Sequence, residues 1–155
     1  MFLSNALRLG AFVGLAVLGC FLLGCGGYGG RGGEGEIMPS DGSHILQMNA
    51  LYGNYRLANN KPPPSPEALK EWAKKQPQDK VAKWINNPLD SVFISPRDHE
   101  PYCIAPAPKT QHYMGPQRVV IYEKTGVKGK RMVANGMGYS QEMDGTALKT
   151  FVPNP

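Results

Sequence analysis

Three cysteines and three histidines are all that the 155 residues hold. The histidines, His44, His99 and His112, lie far apart, and Cys20 and Cys25 fall inside one apolar segment. So few cysteines exclude a disulfide-built miniprotein. No GxSxG, HExxH, CxxC or phosphate-loop pattern occurs. The acidic residues are scattered, with no pairing of the kind that glycoside hydrolysis uses. No internal repeat is visible, and the only long apolar run is N-terminal, which excludes a polytopic membrane protein. The length leaves room for one modest domain. These absences predict a protein that is not an enzyme and that needs no cofactor.

What is present begins with an address. Met1–Arg8 holds one basic and no acidic residue, and Leu9–Cys25 is a run of 17 residues without a charged side chain. That is the layout of a secretory signal. Two cysteines end apolar stretches, Val17-Leu18-Gly19-Cys20 and Leu22-Leu23-Gly24-Cys25. The second resembles the lipobox of bacterial lipoproteins, although Leu23 stands where a smaller residue is usual. The resemblance implies residues 1–24 as signal peptide, cleavage before Cys25, and acyl groups on its sulfur and new amine. One acyl chain holds a protein to lipid only marginally and two or three hold it firmly, at about 0.8 kcal/mol per buried methylene. An uncleaved anchor or ordinary cleaved export are the alternatives, and all three place the rest of the chain outside the cytoplasm. Residues 25–35 follow as a tether, since Gly26–Gly35 contains seven glycines and cannot bury a core. As a flexible coil those residues span roughly 15–20 Å.

Residues 36–155 read as a single α+β domain, with helices packed on a small antiparallel sheet of four or five strands. Ser43 can cap a helix reaching Ala58, with Ile45, Met48, Tyr52 and Tyr55 on its inner face. Asn59–Pro64 breaks the chain with three successive prolines. Ser65-Pro66-Glu67 starts a second helix that buries Leu69 and Trp72 and stops at Pro77. Asp79 is the expected cap of a third, with Val81, Trp84 and Ile85 inward. Strands are expected at Ser91–Ile94, Tyr102–Ala105, Arg118–Lys124, Lys130–Ala134 and Met137–Gln141. Val119–Tyr122 is apolar on both faces, as a central strand would be. Thr125–Gly129 reads as a hairpin loop and Asn135-Gly136 as a tight turn with positive φ. Asp144–Val152 can close the domain as a helix burying Leu148 and Phe151.

Several short segments together carry a second resemblance: Phe93-Ile94-Ser95-Pro96-Arg97-Asp98, Pro101-Tyr102, Val120-Ile121-Tyr122-Glu123-Lys124-Thr125-Gly126, Gly129-Lys130-Arg131 and Asn135-Gly136. In this order they resemble the soluble C-terminal part of type II secretion pseudopilin-like proteins, including the H-X9-DG prepilin-type relatives. The helix, the Asn59–Pro64 break and Leu69 fit the same pattern. The resemblance implies a helix on an antiparallel sheet and brings no catalytic residue with it. The chain lacks the prepilin peptidase site and the polymerising apolar helix with its Glu, so assembly into a pseudopilus does not follow.

Charge narrows the choice of contacts. Without Arg8 the chain carries 16 basic and 12 acidic residues, a net +4, and Arg118, Lys124, Lys128, Lys130 and Arg131 against Glu123 supply all of it. These five are the expected contact residues for anionic lipid, an envelope polymer or an acidic protein. Nucleic acid is not expected, because no binding module is recognisable. The leading expectation is therefore a non-catalytic envelope lipoprotein, held to membrane lipid through Cys25 and presenting an interaction domain. An accessory subunit of a secretion or pilus-like apparatus is the first alternative. A small exported enzyme or metal binder built on Asp98–Cys103 and His112 is the second. No metal site is expected, since Asp98-His99-Glu100 are neighbours in a turn and Cys103 suits a small core position.

Overall fold

The computed structural model describes residues 42–107, 118–152 and 155. The signal, Cys25, the tether and His112 lie outside the described residues. The fold is α+β, as expected. Helices α1 (His44–Asn59), α2 (Pro66–Lys74), α3 (Gln78–Trp84) and α4 (Leu89–Val92) precede strands β1 (Cys103–Ile104), β2 (Val119–Tyr122), β3 (Lys130–Asn135) and β4 (Ser140–Asp144), and α5 (Gly145–Phe151) follows. The strands form an antiparallel meander in the order β1-β2-β3-β4.

Helix α1 is the axis of the molecule. Ile45, Met48, Tyr52 and Tyr55 are buried as expected, but so are Leu46, Gln47, Asn49, Ala50, Leu51 and Asn54. One inner face would not produce this. The helix is enclosed by the sheet on one side and by α2, α3 and α4 on the other. Its buried amides are engaged: Asn49 donates to the Asn135 carbonyl at 2.9 Å, which fixes α1 against the end of β3. Gln47 donates to the Gly42 carbonyl and accepts from the backbone N–H groups of Asn86 and Asn87. The helices that cover α1 are joined by rings. Trp72 lies edge-on to Tyr55 at 5.3 Å and parallel to Trp84 at 5.7 Å.

Strand β2 explains how both sheet faces are filled. Val119 pairs with Asn135 but Ile121 pairs with Ala134, so Val120 is an extra residue in the ladder. Such a bulge turns two successive side chains to one face. Val120 and Ile121 accordingly pack in the α1 core, while Val119 and Tyr122 pack with Val133, Leu148 and Val152 on the other face, under α5. The central, doubly buried strand read from the sequence is present, and its bulge is what the sequence pattern did not disclose.

Five local expectations need correction. Ser91–Ile94 is not a strand: Pro88 offers its carbonyl to the N–H groups of Ser91 and Val92, which winds Leu89–Val92 into one helical turn. Ile94 keeps a single bridge, to Pro101. The last strand begins at Ser140 instead of Met137, because Asn135 Oδ1 accepts from the N–H groups of Met137 and Tyr139 and holds them in the turn. The positive φ of that turn belongs to Gly138, at 87°, and not to Asn135-Gly136. The third helix is preceded by Pro77, and Asp79 sits in its first turn. Asp144 caps α5 through Thr146, and Val152 is buried where Phe151 was expected, leaving Phe151 52% exposed.

Candidate functional site

Two segments that are distant in sequence, residues 95–100 and 123–126, meet in space. The loop between α4 and β1, residues 95–100, folds against the β2–β3 hairpin and is locked to it by side chains. Ser95 and Glu123 are both fully buried, and the Ser95 hydroxyl donates to Glu123 Oε1 at 2.7 Å. Glu123 Oε2 accepts from the Met132 N–H at 2.7 Å and pairs with Arg97 at 3.4 Å. Arg97 reaches onward to Glu142 on β4 at 2.6 Å. A charge buried without partners would be strongly destabilising, and this one has a hydroxyl, an amide and a guanidinium.

Asp98 makes the second half of the lock. Its Oδ2 accepts from the backbone N–H groups of Thr125 and Gly126, at 3.1 and 2.6 Å, and its Oδ1 accepts from Glu100 at 3.2 Å. Burial alone would raise this carboxyl; the hydrogen bonds from Gly126, Glu100 and Thr125, with help from Ser95, outweigh it and hold the group below its ordinary value. Lys124 closes the outside by pairing with Glu100 at 3.2 Å. Tyr102 lies beside the lock, and burial pushes its hydroxyl up to about 12.

This arrangement decides what Asp98-His99-Glu100 can do. The Asp98 oxygens are spent on backbone donors, Glu100 is turned to Lys124, and His99 is exposed with a φ of 60°. No group of three potential metal ligands occurs among the described residues. Cys103 is half-buried on β1, its thiol pushed up by burial and hydrogen-bonded with Tyr122. A thiol in that state is a poor nucleophile. His44 donates from Nδ1 to the Ile94 carbonyl at 3.0 Å, which seats the start of α1 on the loop.

The five basic residues are not one surface. Arg118 precedes β2 at the end away from the hairpin tip and donates to the carbonyls of Ala105 and Pro106. Lys124 is paired with Glu100. Lys130 stands opposite Asp144 in the β3–β4 register. Arg131 is half-buried, its side-chain stem lying where Gly126 has no Cβ. Lys128 is exposed at the tip with a φ of 52°. Sequence counting set these charges against Glu123 alone, and folding brings Asp98, Glu100, Glu142 and Asp144 to the same end.

The opposite end has a different character. A groove of about 460 Å³ lies between the last turns of α1 and the β3–β4 turn, lined by Tyr52, Gly53, Arg56, Leu57, Asn60 and Met137, among others. Leu57 and Met137 are 60% and 52% exposed. Gly53 contributes no side chain to fill it. Sequence reading missed this groove because its residues come from segments about 80 positions apart. It also missed the lock, for which the one signal was a glutamate directly after the apolar Val119–Tyr122. No protein-family model, curated protein or solved structure matches this chain.

Proposed function

We propose that the protein is a membrane-anchored, non-catalytic lipoprotein of the bacterial envelope whose folded part is an interaction module. The observation that carries the reading is the inward engagement of Ser95, Asp98 and Glu123: the most polar cluster of the fold uses its hydroxyl and carboxylates to hold a loop to a hairpin. Catalytic groups face a substrate, and these face backbone donors, one another and Arg97. Anchoring rests on the lipobox-like Leu22-Leu23-Gly24-Cys25 and the glycine tether after it. No helix among the described residues is long and apolar enough to cross a membrane. The meeting of two of the pseudopilin-like segments, Phe93–Asp98 and Val120–Gly126, in one lock supports the kinship of the domain with those proteins. A lipid anchor in place of their polymerising helix makes it a peripheral partner of such an apparatus at most.

Intact-mass measurement of the chain purified from membranes tests the reading. A chain that starts at Cys25 and carries added acyl mass is the expected result. A chain retaining Met1 overturns it. Cys25→Ser should leave an unprocessed precursor.

A further inference from the structure

We propose that the groove between α1 and the β3–β4 turn receives an acidic peptide segment, with an apolar side chain at its centre, from another envelope protein. The inference deepens the reading of the chain as an anchored interaction module and rests on it for the location of the partner.

Shape and polarity come first. Leu57 and Met137 are large apolar side chains left more than half exposed on two sides of one groove of about 460 Å³. That volume takes one or two large side chains, not an extended ligand. Exposed apolar residues are ordinary when single; a facing pair across a concavity is the arrangement that marks contact sites. Tyr52 and Asn60 add polar groups at the groove wall.

Charge supplies the sign of the partner. Arg56 lines the groove, and Arg118 adjoins it, its carbonyl accepting from the Gly136 N–H of the groove-lining turn at 3.0 Å. Neither arginine has a carboxylate within 4.0 Å among the described residues; the ion pairs found there involve Lys70, Lys74, Arg97 and Lys124. The acidic groups of the sheet are gathered at the other end, around the lock. Burial lowers Arg118, Tyr52 opposes this, and Arg56 adds like-charge repulsion. An incoming carboxylate relieves that repulsion.

Orientation excludes the lipid surface as the first choice. The chain reaches α1 at Gly42, beside Asn86 and Asn87, and His44 is bonded to Ile94 just before the lock. Leu57 lies 13 residues further along α1, about 20 Å away at 1.5 Å per residue. A domain held by its N-terminal side therefore turns the groove away from the anchor, toward other proteins.

The test uses the purified full chain in detergent and three hexapeptides labelled with a fluorophore: Glu-Glu-Leu-Phe-Glu-Glu, its lysine counterpart Lys-Lys-Leu-Phe-Lys-Lys, and Glu-Glu-Ser-Ser-Glu-Glu. Anisotropy should show binding of the first alone, weakening with added salt. Arg56→Glu and Leu57→Ser, both at exposed positions, should each lower the affinity at least tenfold without changing the thermal midpoint. Absence of binding at millimolar peptide overturns the proposal, as does equal binding by the lysine peptide or by Arg56→Glu. Sedimentation that shows a dimer dissolved by Leu57→Ser also overturns it, because the occupant is then a second copy. The peptide measurement does not depend on acylation, so a failed anchor, seen by mass, and a failed groove are separate results.

Discussion

At the residue scale the decisive side chains are the acids that face inward. Asp98 holds three backbone N–H groups, two of them in the β2–β3 hairpin. Asp98→Ala should cost about 2 kcal/mol, by analogy with other charge-assisted hydrogen bonds, read as a lower urea midpoint. Because its folded value lies below the unfolded one of roughly 3.9, the stability it supplies is complete above that pH and is lost as pH falls through the folded value. Asp98→Asn should therefore flatten the acid limb of a stability–pH curve; an unchanged limb would remove Asp98 from the account. Arg97→Ala leaves the fully buried Glu123 without its cation and should cost about 3 kcal/mol in the same assay. None of this was legible beforehand. Asp98 and Glu123 were visible as residues, but a carboxylate shows nothing in sequence about whether it faces water or, as Asp98 does, amides 27 and 28 positions away.

At the element scale the glycines of the β2–β3 hairpin separate two kinds of constraint. Gly126 and Gly129 have nearly equal φ, 76° and 77°. A Cβ on Gly129 meets open space, whereas one on Gly126 runs into the Lys130 carbonyl and the Arg131 stem. Gly129→Ala should cost about 1 kcal/mol, the left-handed conformation alone. Gly126→Ala should cost at least twice that, measured by the same denaturation, and equal costs would refute the contact. Elements with strong local signals were legible: α1, α2, the doubly apolar β2 and the Thr125–Gly129 loop all stand where periodicity and glycine placed them. Those that failed did so where a distant or unanticipated acceptor intervened. Pro88 captured Ser91 and Val92 into a helical turn, and Asn135 captured Met137 and Tyr139 into a loop, so one expected strand was lost and the other shifted. Neither event has a hydrophobic period to announce it.

At the scale of the whole molecule the sheet is covered twice, by α1 and its companions on one face and by α5 on the other. Leu148 and Val152 seal Val119, Tyr122 and Val133. Leu148→Ala should cost about 3 kcal/mol, and ending the chain after Asp144 should leave that face bare and the protein prone to aggregate, which light scattering would reveal. The two ends of the fold then divide its tasks. One end is closed by the lock and consumes its own charge; the other leaves Arg56 and Arg118 without carboxylate partners among the described residues, beside a groove. The charge total of the sequence placed its excess on one hairpin, and only the folded arrangement shows that the acids follow it there.

The amide of Gln47 has a mechanical consequence. It fastens the Gly42 carbonyl to the Asn86–Asn87 bend, just before α1 begins. Tension applied from the N-terminal side is thereby shared with the bend between α3 and α4 as it enters α1. A Gln47→Leu protein should unfold at a lower force when drawn by that end, and at an unchanged force when drawn between two points within the sheet.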